Sequence, residues 1–100
     1  MRNKPMLKID TIESASEIVL SLHGRLAGPW LDELESQWRR TQAASGKRRV
    51  VVDLSGVTGI DGAARYLLQL MRLRNVSLVG APIAIRALLD DDSMPTSELD

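Results

Sequence analysis

The sequence predicts a single α/β domain, a mixed sheet of about four strands with helices packed mainly on one face, in the order ββαβαβα. Three observations predict it. Val50, Val51, Val52 and Leu54 form an apolar, β-branched run too short for a helix, which reads as a strand covered on both faces. Shortly after it, Ala64, Leu67, Leu68 and Met71 fall at i, i+3, i+4 and i+7, the stripe of a helix lying on a sheet. Ahead of both, two segments of alternating polarity precede a proline-opened helix.

In chain order, Met6–Asp10 alternates as an edge strand with one wet face, and the polar stretch 11–16 reads as a connection. Glu17–His23 is the second strand, with Ile18, Leu20 and Leu22 inward, and a hairpin joins the two. Gly24 marks its exit, and Leu26 returns to the core. Gly28-Pro29 opens the first helix, because proline is tolerated at the first helical position. Leu31, Leu34 and Trp38 make its core stripe with Trp30 beside Leu34, Glu35 and Arg39 form an i, i+4 pair, and Arg39 and Arg40 sit toward the negative end of the dipole. Gly46 ends that helix. After the central strand, Ser55-Gly56 and Thr58-Gly59 read as a tight polar loop, and Asp61 as the N-cap of the second helix. Asn75 supplies a left-handed cap, Val76–Val79 a short strand, Gly80–Pro82 a turn, and Ile83, Ala84, Ala87 and Leu88 the inner face of a third helix with Arg86 outward. Both crossovers pass through a helix, so each joins parallel strands with the right-handed sense. Residues 1–5 read as an arm, 6–89 as the domain and 90–100 as an acidic tail too polar to offset its own ordering entropy.

One hundred residues suffice for one core, and the absence of cysteine excludes disulfides and thiolate metal sites. No apolar run approaches the ~20 residues that span a bilayer, so a cytoplasmic protein without membrane insertion is expected. The zero net charge is uneven: residues 1–89 carry 13 basic and 8 acidic groups. Those basic groups are scattered and the only aromatics are Trp30, Trp38 and Tyr66, which argues against nucleic-acid binding.

With the elements placed, Gly24-Arg25-Leu26 resembles the glycine–any–leucine step of STAS domains, the family of anti-sigma-factor antagonists and sulfate-transporter tails. Val51–Asp61, VVDLSGVTGID, resembles that family's most recognisable block, and Ser77–Gly80 with Arg86 and Leu88-Leu89 matches its last strand and helix. In antagonist members the helix-opening aspartate is followed by two small residues and a glycine, the second small residue being the phosphorylated one. Here the series is Asp61-Gly62-Ala63-Ala64, so Ala63 occupies the phosphoacceptor position, and an addition of roughly −2 charge at that helix start is chemically closed. The chain between Arg72 and Val76 is also shorter than in typical members, so the second helix is expected to lose about a turn.

Other chemistries find less support. Asp53 at a strand end resembles the phosphoacceptor of receiver domains, but the Mg²⁺ such chemistry needs wants further carboxylates. Strand 1 offers only Asp10, and no lysine follows Lys47. Gly56 and Gly59 could cradle an anion, yet ordinary turn use explains them, and the nearest cation is Arg65. His23 stands alone, without a ligand at metal spacing. No nucleophile–base pair is present, so no enzyme and no cofactor is expected. The expected function is a regulatory protein-interaction module whose partner surface comprises Ser55, Thr58, Asp61, Gly62, Ala63, Arg65, Tyr66 and Gln69. Arg65, Gln69 and Arg72 form its outer helical stripe. The resemblance implies an anti-sigma kinase-like partner or, alternatively, the ATPase of a membrane ABC transporter; a nucleotide or small-ligand sensor is the remaining reading. A monomer is expected, or a weak dimer through the edge of strand 1.

Overall fold

The computed structural model describes residues 7–90; the N-terminal arm, Met6 and residues 91–100 lie outside the described residues. Seven elements follow in the expected order: β1 (Lys8–Glu13), β2 (Glu17–Leu26), α1 (Trp30–Ser45), β3 (Arg49–Ile60), α2 (Gly62–Leu73), β4 (Ser77–Val79) and α3 (Ile83–Asp90). The sheet order is β1-β2-β3-β4, antiparallel between β1 and β2 and parallel across the two helical crossovers. Leu20, Leu22, Val52 and Leu54 on one face of the sheet pack with Leu34 and Trp38 of α1, Leu67, Leu68 and Met71 of α2, and Ile85 and Leu89 of α3. All three helices thus share one face. Val51, on the strand's other face, is buried at mid-sheet, between Val19 and Ser77 in register, as a strand covered on both faces requires.

Both strands of the hairpin outrun their sequence limits. Thr11, Ile12 and Glu13, read as a connection, pair with Leu20, Val19 and Ile18, because a serine turn closes the hairpin later. There the Ser14 amide donates to the Glu17 carbonyl at 2.9 Å, and the Glu17 amide donates to Ser14 Oγ at 3.2 Å. Gly24 does not end β2 either: at φ 109° it lets the strand run on to Leu26.

The larger correction concerns β3. The stretch 55–60 is strand rather than a tight loop. Its turn-forming residues are absorbed by two register shifts, between Ser21/His23 and Gly24/Arg25 of β2, where β3 gains a residue each time. Such bulges bend the strand and re-aim its end. Gly56 is required for this approach, since a Cβ there would stand 2.8 Å from the Leu22 carbonyl oxygen and run into the His23 ring.

Helix α1 buries Leu34, Trp38 and Thr41 at i, i+4 and i+7, with Leu31 and Trp30 partly covered. Because it runs to Ser45, Arg39 and Arg40 sit mid-helix and the last turn holds no basic residue. Arg48 serves the C-terminus instead: its guanidinium donates to the Ala44 carbonyl at 2.9 Å and the Ser45 carbonyl at 3.2 Å, and pairs with Glu13 at 3.0 Å. Helix α2 ends in a Schellman arrangement. Asn75, at φ 69°, donates to the Arg72 carbonyl, and Val76 donates to Met71 while both Val76 and Met71 enter the core. The expected face of α3 is reversed: Ile85 and Leu89 are buried, whereas Ile83 and Leu88 are exposed. With apolar residues on every side except that of Arg86, spacing alone does not single out the inner face, and its packing against α2 decides.

The two central glycines of β3 separate close approach from simple composition. Gly56→Ala should cost about 1–3 kcal/mol of stability through overpacking. Gly59→Ala, with nothing within 4 Å of its Cβ, should be nearly neutral. Urea unfolding of both variants with unchanged m-values checks the contrast.

Candidate functional site

The bulged end of β3 delivers the chain into α2 through Asp61, whose backbone is extended at φ −101° and ψ −177°. Its Oδ1 accepts from the Ala64 amide at 2.8 Å, the N-cap bond the sequence predicts. Its Oδ2 accepts from the Gly28 amide at 3.1 Å, in the segment that enters α1. The Asp61 amide donates to the Leu26 carbonyl at 3.3 Å, continuing the β2–β3 pairing to its last residue. One side chain therefore ties the start of α2 to the approach to α1. The Ala64 amide, then the Gly28 amide, and more weakly the charge of Arg25 hold the Asp61 carboxyl below its ordinary value, against the opposing effect of partial burial.

Immediately after this anchor, Gly62 and Ala63 are exposed and offer no side chain beyond one methyl group. Ser55 and Thr58 are exposed along β3. Asp53 accepts from the Ser55 amide at 2.9 Å and lies against Gly80, whose Cβ would meet its Oδ1 at 2.7 Å. That geometry gives Asp53 a local structural role. His23 sits on the sheet with Ser21 Oγ at 3.3 Å and Asp10 Oδ2 at 3.7 Å, both from Nε2, so the two neighbours do not use its two ring nitrogens as a relay would.

The outer face of α2 carries more than the expected polar stripe. Two residues along a helix turn a side chain by about 200°, so Ala63 and Arg65 do not share a face. Gln69, on the Arg65 stripe, donates to the Leu89 carbonyl at 3.2 Å and binds α3 to α2. The residues that share the Ala63 side are Tyr66 and Leu70, followed by Leu73, a second apolar stripe at i, i+4 and i+7 from Tyr66. Tyr66 is 72 % exposed and Leu73 79 %, where a helix on a sheet needs only one apolar stripe. A cleft of about 380 Å³ runs here, lined among the described residues by Tyr66, Gln69, Leu70, Arg72 and Leu73. Sequence reasoning assigned this face to the polar stripe and passed over Leu70 and Leu73; the signal was the two apolar periods written into one helix.

No protein-family model matches the chain, and no curated protein matches its sequence. Among solved structures it is similar to a DUF3478-family protein with a SpoIIAA-like fold from Shewanella loihica PV-4. The two share 13 % identity at a TM-score of 0.53, over 82 % of this chain and 73 % of that one. The fold is therefore SpoIIAA-like, the fold of STAS domains, as the residues of the central block suggested. No described helix is long and apolar enough to cross a membrane.

Because the Asp61 carboxyl is held low in the folded chain, its contribution to stability is fully present above the ordinary carboxylate pKa of about 3.9. It is lost as the pH falls through the lowered folded value. Asp61→Asn keeps one acceptor oxygen and no charge. Its deficit against the wild type should be largest near neutrality and shrink steadily on acidification below pH ~4. Thermal unfolding of both proteins across that range reads the effect, and a deficit independent of pH would contradict it.

Proposed function

We propose that this domain is a non-catalytic regulatory module that docks a protein partner through the end of β3 and the first turns of α2. One observation carries the proposal: Gly62 and Ala63 stand exposed at a helix start held from behind by Asp61, with the exposed Tyr66 one turn further on. Small residues permit close approach of a partner backbone, and an adjacent exposed tyrosine supplies the large contact area on which interfaces concentrate their energy. Ser55 and Thr58 are exposed on the strand that leads into this patch, Asp61 caps its helix, and Gln69 reaches across to α3.

The STAS resemblance suggests an anti-sigma kinase-like protein as the partner. With alanine in the acceptor position, association proceeds without a phosphate switch at residue 63. The SpoIIAA-like fold supports an interaction role in general terms, and the choice of partner rests on the sequence resemblance alone.

Ala63→Glu places a charge in the centre of the proposed contact while adding a carboxylate to a helix N-terminus, where it favours the helix. The variant should keep its unfolding midpoint and lose at least tenfold in affinity. Tyr66→Ala should lose a similar amount, about 1–2 kcal/mol or more. Capture from lysate on wild-type and Ala63→Glu baits, identification by mass spectrometry, and titration of the captured partner supply the measurements. Equal capture by both baits would place the interface elsewhere.

A further inference from the structure

We propose that the helix-free face of the sheet is a homodimer contact, in which two copies pack sheet to sheet about a two-fold axis running along the strands between β2 and β3. All three helices pack on one face of the sheet, and none of the described elements lies on the other. Strands β2, β3 and β4 are parallel to one another, and parallel strands occur almost only in sheets covered on both faces. The strand register states what the open face carries. Ile12, Val19, Val51 and Ser77 stand side by side across the four strands. Val51 is buried and Val19 half-buried, while Ile12 at the β1 edge is 59 % exposed. One row further along β2 and β3, Ser21 stands beside Asp53; one row back, Glu17 stands beside Arg49. Neither Glu17 nor Arg49 forms an ion pair with a described residue.

This pattern is its own complement, which is what a two-fold contact demands. A two-fold axis along the strands keeps every row level and lays β2 of one copy over β3 of the other. Glu17 of each copy then faces Arg49 of the other, so the two unpaired charges are satisfied twice. Val19 meets Val51 at the centre. The Ser21 hydroxyl meets Asp53, one of whose oxygens already accepts from the Ser55 amide. Asp10 falls at the sheet edge, 3.7 Å from His23, and the angle of about 30° between aligned sheets carries such edges apart into water. A two-fold axis across the strands would instead lay Val51 over Asp53, a carboxylate against hydrocarbon.

Size sets the strength. Strands about 4.8 Å apart and rows about 6.8 Å apart give the four strands a face roughly 20 Å square. That lies at the small end for a specific contact, so the dimer is a weak one, forming at micromolar concentration or above. The proposal stands without the docking reading above. Gly62 and Ala63 belong to a helix on the far side of the sheet, so both copies keep that corner open.

Sedimentation velocity of the full chain from micromolar to millimolar concentration reads the association, and the expected result is a coefficient that climbs to that of a dimer. Arg49→Glu and Glu17→Arg, each alone, set like charges against each other at two points and should raise the dissociation constant about tenfold. The double variant restores opposite charges at both points and should return to within about threefold of the wild type. Isotope-filtered NOE spectra of mixed ¹³C-labelled and unlabelled wild type locate the contact without any substitution. Cross-peaks between Val19 methyls of one copy and Val51 methyls of the other are expected. A chain that stays monomeric at millimolar concentration would overturn the proposal. So would single reversals without effect, a double variant as weak as the singles, or filtered cross-peaks confined to the free edge of β1 or to α2. No other protein enters these measurements, so their outcome is separate from the fate of the docking reading.

Discussion

The arrangement of the corner between β3 and α2 depends on one carboxylate shared between two backbone amides. Either hydrogen bond of Asp61 alone is ordinary: an N-cap to Ala64, or a side chain meeting a loop at Gly28. Made by the two oxygens of one group, they fix the entry of α2 relative to the segment that leads into α1. The Asp61 amide closes the same corner onto Leu26, so strand pairing, loop and helix start are joined at a single residue. The consequence is a helix N-terminus that stays in place without help from the residues directly on its surface. Gly62 and Ala63 can therefore be small, and a surface of small residues can be both rigid and accessible.

What precedes this corner was only partly legible in the sequence. The valine run and the stripe Ala64, Leu67, Leu68, Met71 reported their elements faithfully, because burial against a single sheet face imposes a period that the residues must obey. Ser55-Gly56 and Thr58-Gly59 did not. Serine, threonine and glycine signal a turn when local preference decides, but here β2 decides, by pairing as far as Leu26 and accommodating the extra residues of β3 as bulges. The need for glycine at position 56 belongs to the Leu22 carbonyl and the His23 ring, groups more than thirty positions away in sequence. No local reading contains that information.

The reversed face of α3 and the unforeseen second stripe of α2 share a physical cause. In α3, residues 83–89 are apolar on all sides apart from Arg86, so Ile85 and Leu89 could not be told from Ile83 and Leu88 by spacing. In α2, a polar stripe invited the role of outer face, while Tyr66, Leu70 and Leu73 formed a second apolar stripe of equal regularity. Periodicity identifies that a face is apolar; which apolar face the core takes is settled by the neighbouring elements. What the core leaves over is the informative remainder, because a contiguous apolar surface on a small domain commonly marks a contact.

Beside that remainder, the helix start carries an alanine at position 63. A hydroxyl at a helix start allows a surface to be switched by adding charge to it, and the surface can then remain permanently uncovered. A methyl group removes this option while preserving the close approach that small residues permit. A helix start built this way keeps its small residues accessible because the hydrogen bonds that hold it come from Asp61 and not from the side chains on its surface.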